Sequence, residues 1–272
     1  MESAGENRLK LTLHYDGSAF FGWQIQREER TVQGEIQSAL ERLTGGPSTV
    51  IGSGRTDRGV HATGQVAAVS VPAPWSAEEL RRALNAVLSD DVWVERVERV
   101  RPDFHPRYDA IARSYAYYLG LSTEAFSPFR RRWCWPLDRR PDRDMLDQAA
   151  SQLPGRHSFK RFAKAGQPER GYQCTIMGAS WEPWESLGLK FVVTADRYLH
   201  HMVRYLVGTM VQIASGQRTL AELTDLLHNE HTELETSPPA PPEGLFLARV
   251  DYPEAASEDD LDTHSTRSTP TP

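Results

Sequence analysis

Cysteine is scarce: Cys134 and Cys174 are the only two in a chain of 272 residues. Two thiols support neither a disulfide framework nor a cysteine-built zinc site, so a reducing, cytoplasmic location is expected. Long hydrophobic runs are missing as well. No apolar stretch approaches the roughly 20 residues that cross a bilayer, and residues 1–8 lack the basic-then-apolar layout of a signal peptide. A soluble protein with no membrane partner, outside the usual secretory route, is expected. Lysine is rare too, since 27 of the 31 cationic residues are arginine. The planar guanidinium suits bidentate contact with phosphate, although a genome-wide preference for arginine accounts for the same count.

An excess of positive charge is also lacking. The formal net charge is −6, which counts against nucleic-acid binding only if the charge is evenly spread. It is not. Residues 254–272 hold five acids and one arginine, which leaves residues 1–253 at −2. Within them, residues 154–173 carry Arg156, Lys160, Arg161, Lys164 and Arg170 against Glu169 alone. Such a local patch suits a phosphate backbone; a solvated face, or pairing with acids of the 222–243 stretch, is the other reading.

Leu9, Leu11, Leu13 and Tyr15 alternate with polar residues and stop at Asp16-Gly17, which predicts a half-buried strand ending in a turn. Thr31 precedes an apolar stripe of Val32, Ile36, Leu40 and Leu43 closed by Gly45-Gly46, the pattern of a capped helix. Strands are predicted at 49–53 and 65–71. A helix opened by Ser76 and Glu79 follows, carrying Leu80, Leu84 and Val87, and then a strand at 92–100. The order β-α-β-β-α-β is ferredoxin-like. From residue 104 it returns: a strand near 109–119, a helix near 142–153, and strands near 174–183 and 188–195. A helix near 199–215, a second with a Thr219/Glu222 capping box, and a last strand near 245–252 complete it. The expected fold is α+β, with two ferredoxin-like units, 9–103 and 104–253, side by side and a cleft between them. Residues 1–8 are expected to be a flexible N-terminus. The stretch 254–272, acidic and rich in Ser, Thr and Pro, is expected to be a disordered tail.

Between two predicted strands lies Gly52-Ser53-Gly54-Arg55-Thr56-Asp57-Arg58-Gly59-Val60-His61, with three glycines, two arginines and one carboxylate. A loop of this composition brings backbone and side chains close to a ligand. Equally, Asp57 could pair with Arg55 or Arg58 while the glycines make turns. The spacing is not a Walker A loop, because no Gly-Lys-Ser/Thr follows, and it is not a dinucleotide-binding Gly-x-Gly-x-x-Gly on a strand-to-helix turn. A hydrolase built on Asp57 would need a second carboxylate or metal ligands, and the sequence offers no motif for either.

The stretch Gly54-Arg55-Thr56-Asp57-Arg58-Gly59-Val60-His61-Ala62 resembles the catalytic signature of the tRNA pseudouridine synthase A (TruA) family. Further segments resemble its remaining blocks in the family's order: Tyr15-Asp16-Gly17 with Gly22-Trp23-Gln24, Phe104-His105-Pro106-Arg107-Tyr108, Arg113-Ser114-Tyr115-Ala116-Tyr117, His200-His201-Met202-Val203-Arg204, and Pro241-Pro242-Glu243-Gly244-Leu245. The resemblance spans residues 9–253. It implies a pseudouridine synthase fold that isomerises uridine in the anticodon stem-loop of tRNA, typically at positions 38, 39 and 40, without metal or organic cofactor, as a homodimer.

Carried over residue by residue, Asp57 matches the family's catalytic Asp, Arg204 the Arg that pairs with it, and Tyr115 the active-site Tyr. Arg55 matches the residue associated with taking the base out of the stack. Arg58 and His61, from the same block, and Lys160, Arg161 and Lys164, from the basic patch, complete the expected RNA contacts. Each has a plainer reading: Arg204 as a solvated helix residue, and Arg113, Tyr115 and Tyr117 as one packed face of a strand. His200 and His201 are adjacent rather than four apart on a helix, which argues against a shared metal face. Arg58 stands where many members have a small residue, Cys174 where a basic residue is common, and Tyr205 where Asn is common. A non-catalytic RNA-binding module would be expected to lack Asp57, Tyr115 or Arg204, and all three are present.

Overall fold

Leu9, Leu11, Leu13 and Tyr15 are all buried along one face of β1 (Glu6–Tyr15), while the residues between them are only partly covered. That alternation is what a strand packed on one face requires. The structure, a computed structural model, describes residues 6–73, 75–164, 171–229 and 231–253. The strand begins at Glu6, so residues 6–8 do not belong to a flexible terminus. The tail expected at 254–272 lies outside the described residues.

Helix α1 (Val32–Thr44) starts as its sequence dictates. The Thr31 side chain accepts the Gly34 N–H, Val32, Ile36 and Leu40 are buried, and Gly45 closes the helix at φ 73°. A short β2 (Ile51–Gly52) leads into the glycine-rich loop, and β3 (His61–Pro72) starts four residues before the predicted strand at 65. Helix α2 (Ala77–Val87) opens with the Ser76/Glu79 capping box, and β4 (Val92–Arg99) follows.

The second half runs through β5 (Ala112–Gly120), β6 (Trp135–Pro136), α3 (Arg143–Ser151), β7 (Gly155–Ser158), β8 (Gln173–Trp184) and β9 (Gly188–Ala195). Then come α4 (Met202–Ala214), α5 (Leu220–His228), opened by the Thr219/Glu222 capping box, and β10 (Leu245–Asp251). The short β6 and β7 carry too few residues to leave a period in the sequence.

The result is a mixed α+β fold around one large sheet in the order β4-β1-β3-β10-β5-β9-β8-β7, with β2 also paired to β3 and β6 to β5. Among the described residues the pairing is parallel only at β3–β10 and β5–β6. The β3–β10 contact is short, Phe246 with His61 and Leu247 with Ala62, and it joins the two halves of the chain into a continuous sheet. Helix α4 is apolar nearly all round, with Met202, Val203, Leu206, Val207, Met210 and Ile213 buried, as befits a helix inside the core. Arg204 is therefore a charge placed on a buried helix.

Candidate active site

The glycine-rich loop is held from below by residues of the first half. Ser53 donates its N–H to the Val66 carbonyl at 2.8 Å and its hydroxyl to Gln65 Oε1 at 2.9 Å, and Gln65 Nε2 donates to the Gly54 carbonyl at 2.9 Å. Thr56 Oγ1 lies 2.8 Å from the Tyr15 hydroxyl, and the Trp23 N–H reaches the Thr56 carbonyl at 3.0 Å. Gly22, at φ 89°, brings its Cα so close that an added Cβ would stand 2.6 Å from the Thr56 carbonyl oxygen. At Gly52 a Cβ would fall 2.5 Å from the buried Trp23 indole. The Tyr15 and Gly22-Trp23 blocks thus form the floor on which the loop rests.

The other half of the chain supplies the partners of Asp57. Its carboxylate does not pair with Arg55 or Arg58. Arg204 Nη1 lies 3.5 Å from Oδ2, His201 Nε2 3.2 Å from Oδ2, and His200 Nε2 3.1 Å from Oδ1. The Asp57 side chain keeps 23% of its surface, so it is gripped yet reachable. Arg204 is nearly buried, and its Nε donates to the Ala240 carbonyl at 2.7 Å while the Ala240 N–H donates to the Arg204 carbonyl at 3.0 Å. One bond holds the guanidinium and the other the Arg204 backbone, so a single loop residue fixes the side chain and its helix together, and a buried cation needs such partners.

The convergence of two adjacent histidines corrects the sequence-based expectation. His200 and His201 do not lie within α4 but precede it, and His201, the residue before the helix, sits at φ 66°. This left-handed turn, uncommon for a residue with a side chain, swings both imidazoles onto one carboxylate. Burial first, then Arg204, His200 and Lys164, depress His201 below the ordinary histidine range, with only the Asp57 charge opposing them. The depression favours the neutral imidazole, whose Nε2 faces Asp57 Oδ2 at 3.2 Å. Asp57, His200 and His201 also bring one potential metal-ligand atom each to within 4.8 Å of one another.

Strand β5 contributes a stripe of three residues, and each meets a different part of the site. Arg113 Nη2 donates to the Ser53 carbonyl at 2.8 Å and to the Arg107 carbonyl at 2.9 Å, tying the loop to the Phe104–Tyr108 block. Tyr117 donates its hydroxyl to the Pro241 carbonyl at 2.7 Å, and Pro242 lies against Gly59 of the loop. Tyr115 lies between them, 8% exposed, with its ring edge-on to Tyr198 at 4.8 Å. Burial pushes the Tyr115 phenol up to about 12; nearby Arg113 opposes the rise and the Asp57 charge adds to it. The other quoted segments are therefore all tied, directly or through Arg113, to the loop that carries Asp57.

The remaining expected residues divide. Arg55 is exposed, and Arg58 is exposed with its guanidinium stacked 4.1 Å from the Phe21 ring. Lys160 and Lys164 are exposed, and the Lys164 N–H donates to the His200 carbonyl at 3.0 Å, so the basic patch adjoins the Asp57 cluster. Arg161 is only half exposed and donates to the Thr232 carbonyl, which occupies part of its fork. His61 must be corrected: it is completely buried, stacked 4.6 Å from Phe246, accepting the Gly17 N–H at Nδ1 and bonded through Nε2 to the Arg132 carbonyl. It has no surface to offer RNA and instead pins β3 to β10. Gln65 and Arg113, which orient the loop, were missed as functional residues; one is an ordinary polar residue in a strand and the other read as sheet packing.

Comparison with known proteins places the chain in a family. The profile of a family described as tRNA pseudouridine synthase matches residues 12–109 and 149–253, well over half of the chain. A tRNA pseudouridine synthase A of Moorella thermoacetica is 40% identical over 246 residues, covering 90% of this chain and 99% of the relative. Proteins of the same name from Maridesulfovibrio salexigens and Methylacidiphilum infernorum are each 38% identical, over 94% and 90% of this chain and 94% and 95% of their own length. The chain belongs to the tRNA pseudouridine synthase family.

Proposed function

We propose that this protein isomerises uridine to pseudouridine in the anticodon stem-loop of tRNA, at positions 38, 39 and 40, with Asp57 as nucleophile. The observation that carries the reading is the carboxylate of Asp57, partly open and held by Arg204, His200 and His201, on a loop to which the other family-like segments are tied. Isomerisation breaks the carbon–nitrogen glycosidic bond, turns the base while it is trapped, and rejoins it through carbon, releasing a proton. A carboxylate attacking the sugar carbon or the uracil ring supports that sequence with no metal or organic cofactor.

Arg204 and the two histidines orient Asp57. Tyr115, its phenol held neutral at pH 7, stacks on the uracil and relays a proton rather than acting as a phenolate base. A base within a stem must leave the stack, at a cost of a few kcal/mol, and exposed Arg55 is placed to fill the vacancy. Arg58, Lys160 and Lys164 contact phosphates, with Arg161 a weaker participant.

The strand orders support the finer architectural reading: β4-β1-β3 with β2 beyond β3, and β10-β5-β9-β8, each follow a ferredoxin-like arrangement, with the site at the junction of the two units. We also propose a homodimer that binds tRNA across both subunits, because a stem-loop is large compared with one such site; an active monomer by light scattering would refute it. No helix of the described residues is long and apolar enough to cross a membrane. A cytoplasmic location is supported by two free, buried cysteines whose thiols burial pushes up to about 11. Incubation with unmodified tRNA transcripts followed by site-resolved pseudouridine mapping tests the function; product at 38, 39 or 40 is expected, and no product, or product only outside the stem-loop, would refute it.

A further inference from the structure

We propose that Asp57, His200 and His201 form a binding site for a divalent transition metal ion, Zn2+ above all, which inhibits the enzyme by occupying the carboxylate. The ion is not a cofactor: the reaction needs Asp57 free.

The donor set is one carboxylate and two imidazoles, the chemistry that suits zinc and its neighbours rather than magnesium or calcium. The spacing fits. Ligand atoms on a tetrahedral zinc with bonds of about 2.05 Å stand roughly 3.3 Å apart. The two imidazole nitrogens lie 3.1 and 3.2 Å from the two oxygens of Asp57, and all three ligand atoms fall within 4.8 Å of one another. With one Asp57 oxygen as the ligand, its distance to the farther imidazole and the distance between the two imidazoles, both within 4.8 Å, have to tighten. His200, with 55% of its side chain exposed, is the one free to move, and its exposure opens a path for the ion.

Tautomer and charge allow it. Among the described residues no group bonds the Nδ1 of either histidine, so the proton can reside there and the Nε2 lone pair can face an ion. The same lack of outer support keeps affinity moderate, since histidines that bind zinc tightly have Nδ1 held by a carbonyl or carboxylate. The Arg204 guanidinium, 3.5 Å from Asp57 Oδ2, opposes a second cation and works in the same direction. Three protein ligands leave a fourth position for water, and an ion so placed removes the nucleophile from the uridine.

The test uses the full chain. Co2+ and Zn2+ binding is measured without tRNA, by the visible absorption of Co2+ and its displacement by Zn2+, for the wild type, His200→Ala, His201→Asn and Asp57→Asn, each checked for folding by circular dichroism. The expectation is one ion per chain with about tenfold or greater loss of affinity in every variant, matched by inhibition of wild-type turnover that a chelator reverses. A ring pair elsewhere, His157 with His228 at 4.9 Å, is the competing location. Affinity unchanged in His200→Ala, or lost in His228→Ala instead, would overturn the proposal, as would failure to bind either ion. Because binding is read without tRNA, failure here leaves the isomerase reading standing, and failure to isomerise leaves the metal site standing.

Discussion

Arg204 meets Asp57 through one arm of its guanidinium while Nε is fixed on the Ala240 carbonyl, so it is a bracket as well as a charge. A lysine keeps the charge and loses the bracket. Arg204→Ala should therefore lower the single-turnover rate on the order of 10²-fold and Arg204→Lys should recover part of it, with tRNA affinity little changed, because misplacing a reacting group by about 1 Å is costly. A near-wild-type rate for Arg204→Ala would refute the pairing. His201 makes a pH prediction. The unfolded side chain titrates near 6.5 and the folded one lower, so in the window just below 6.5 the unfolded state binds more protons and stability rises with pH. The melting temperature should fall as pH drops from about 7 to about 5.5, and fall less in His201→Asn, whose side chain tolerates a left-handed backbone. Equal falls in both proteins would show that His201 is not depressed.

The elements that build the site are ordinary strands and helices joined by two unusual turns. Gly22 marks one. Adding a methyl group at φ 89°, 2.6 Å from the Thr56 carbonyl oxygen, strains the backbone and pushes the glycine-rich loop from its floor. Gly22→Ala should lower stability by about 1–3 kcal/mol and turnover more than tRNA binding, as read by chemical denaturation beside kinetics. A fully stable, fully active variant would mean the loop does not rest there. The strand β1 and the helices α1, α2 and α5 were legible in the sequence because alternation, apolar stripes and side-chain caps are local properties. The loop was legible as a motif. What could not be read was how the pieces meet: adjacency of His200 and His201 argues against convergence on a helix, and only the positive φ at His201 reverses that. The burial of His61 likewise depends on β10, which arrives from the far end of the chain to pair with β3.

At the scale of the whole molecule, the sheet that runs through β3 and β10 carries the loop from one half to its partners in the other, and the basic patch adjoins the meeting point. Replacing Lys160, Arg161 and Lys164 by alanine should weaken binding about equally for tRNAs of different sequence. It should make the slope of log affinity against log salt shallower by about 2 rather than 3, because Arg161 is partly committed to Thr232 and each neutralised phosphate contributes roughly 0.7–0.9. An unchanged slope with unchanged affinity would return the patch to a solvated face. The central claim is that Asp57 performs the chemistry while phosphate contacts supply the affinity. It is tested most directly by tritium release from unmodified tRNA labelled at uridine C5, comparing the wild type with Asp57→Asn at saturating tRNA. The wild type should release tritium in step with pseudouridine formation. Asp57→Asn should release none above background while binding tRNA within severalfold of wild type. Release by Asp57→Asn, or its absence with the wild type, would contradict the account.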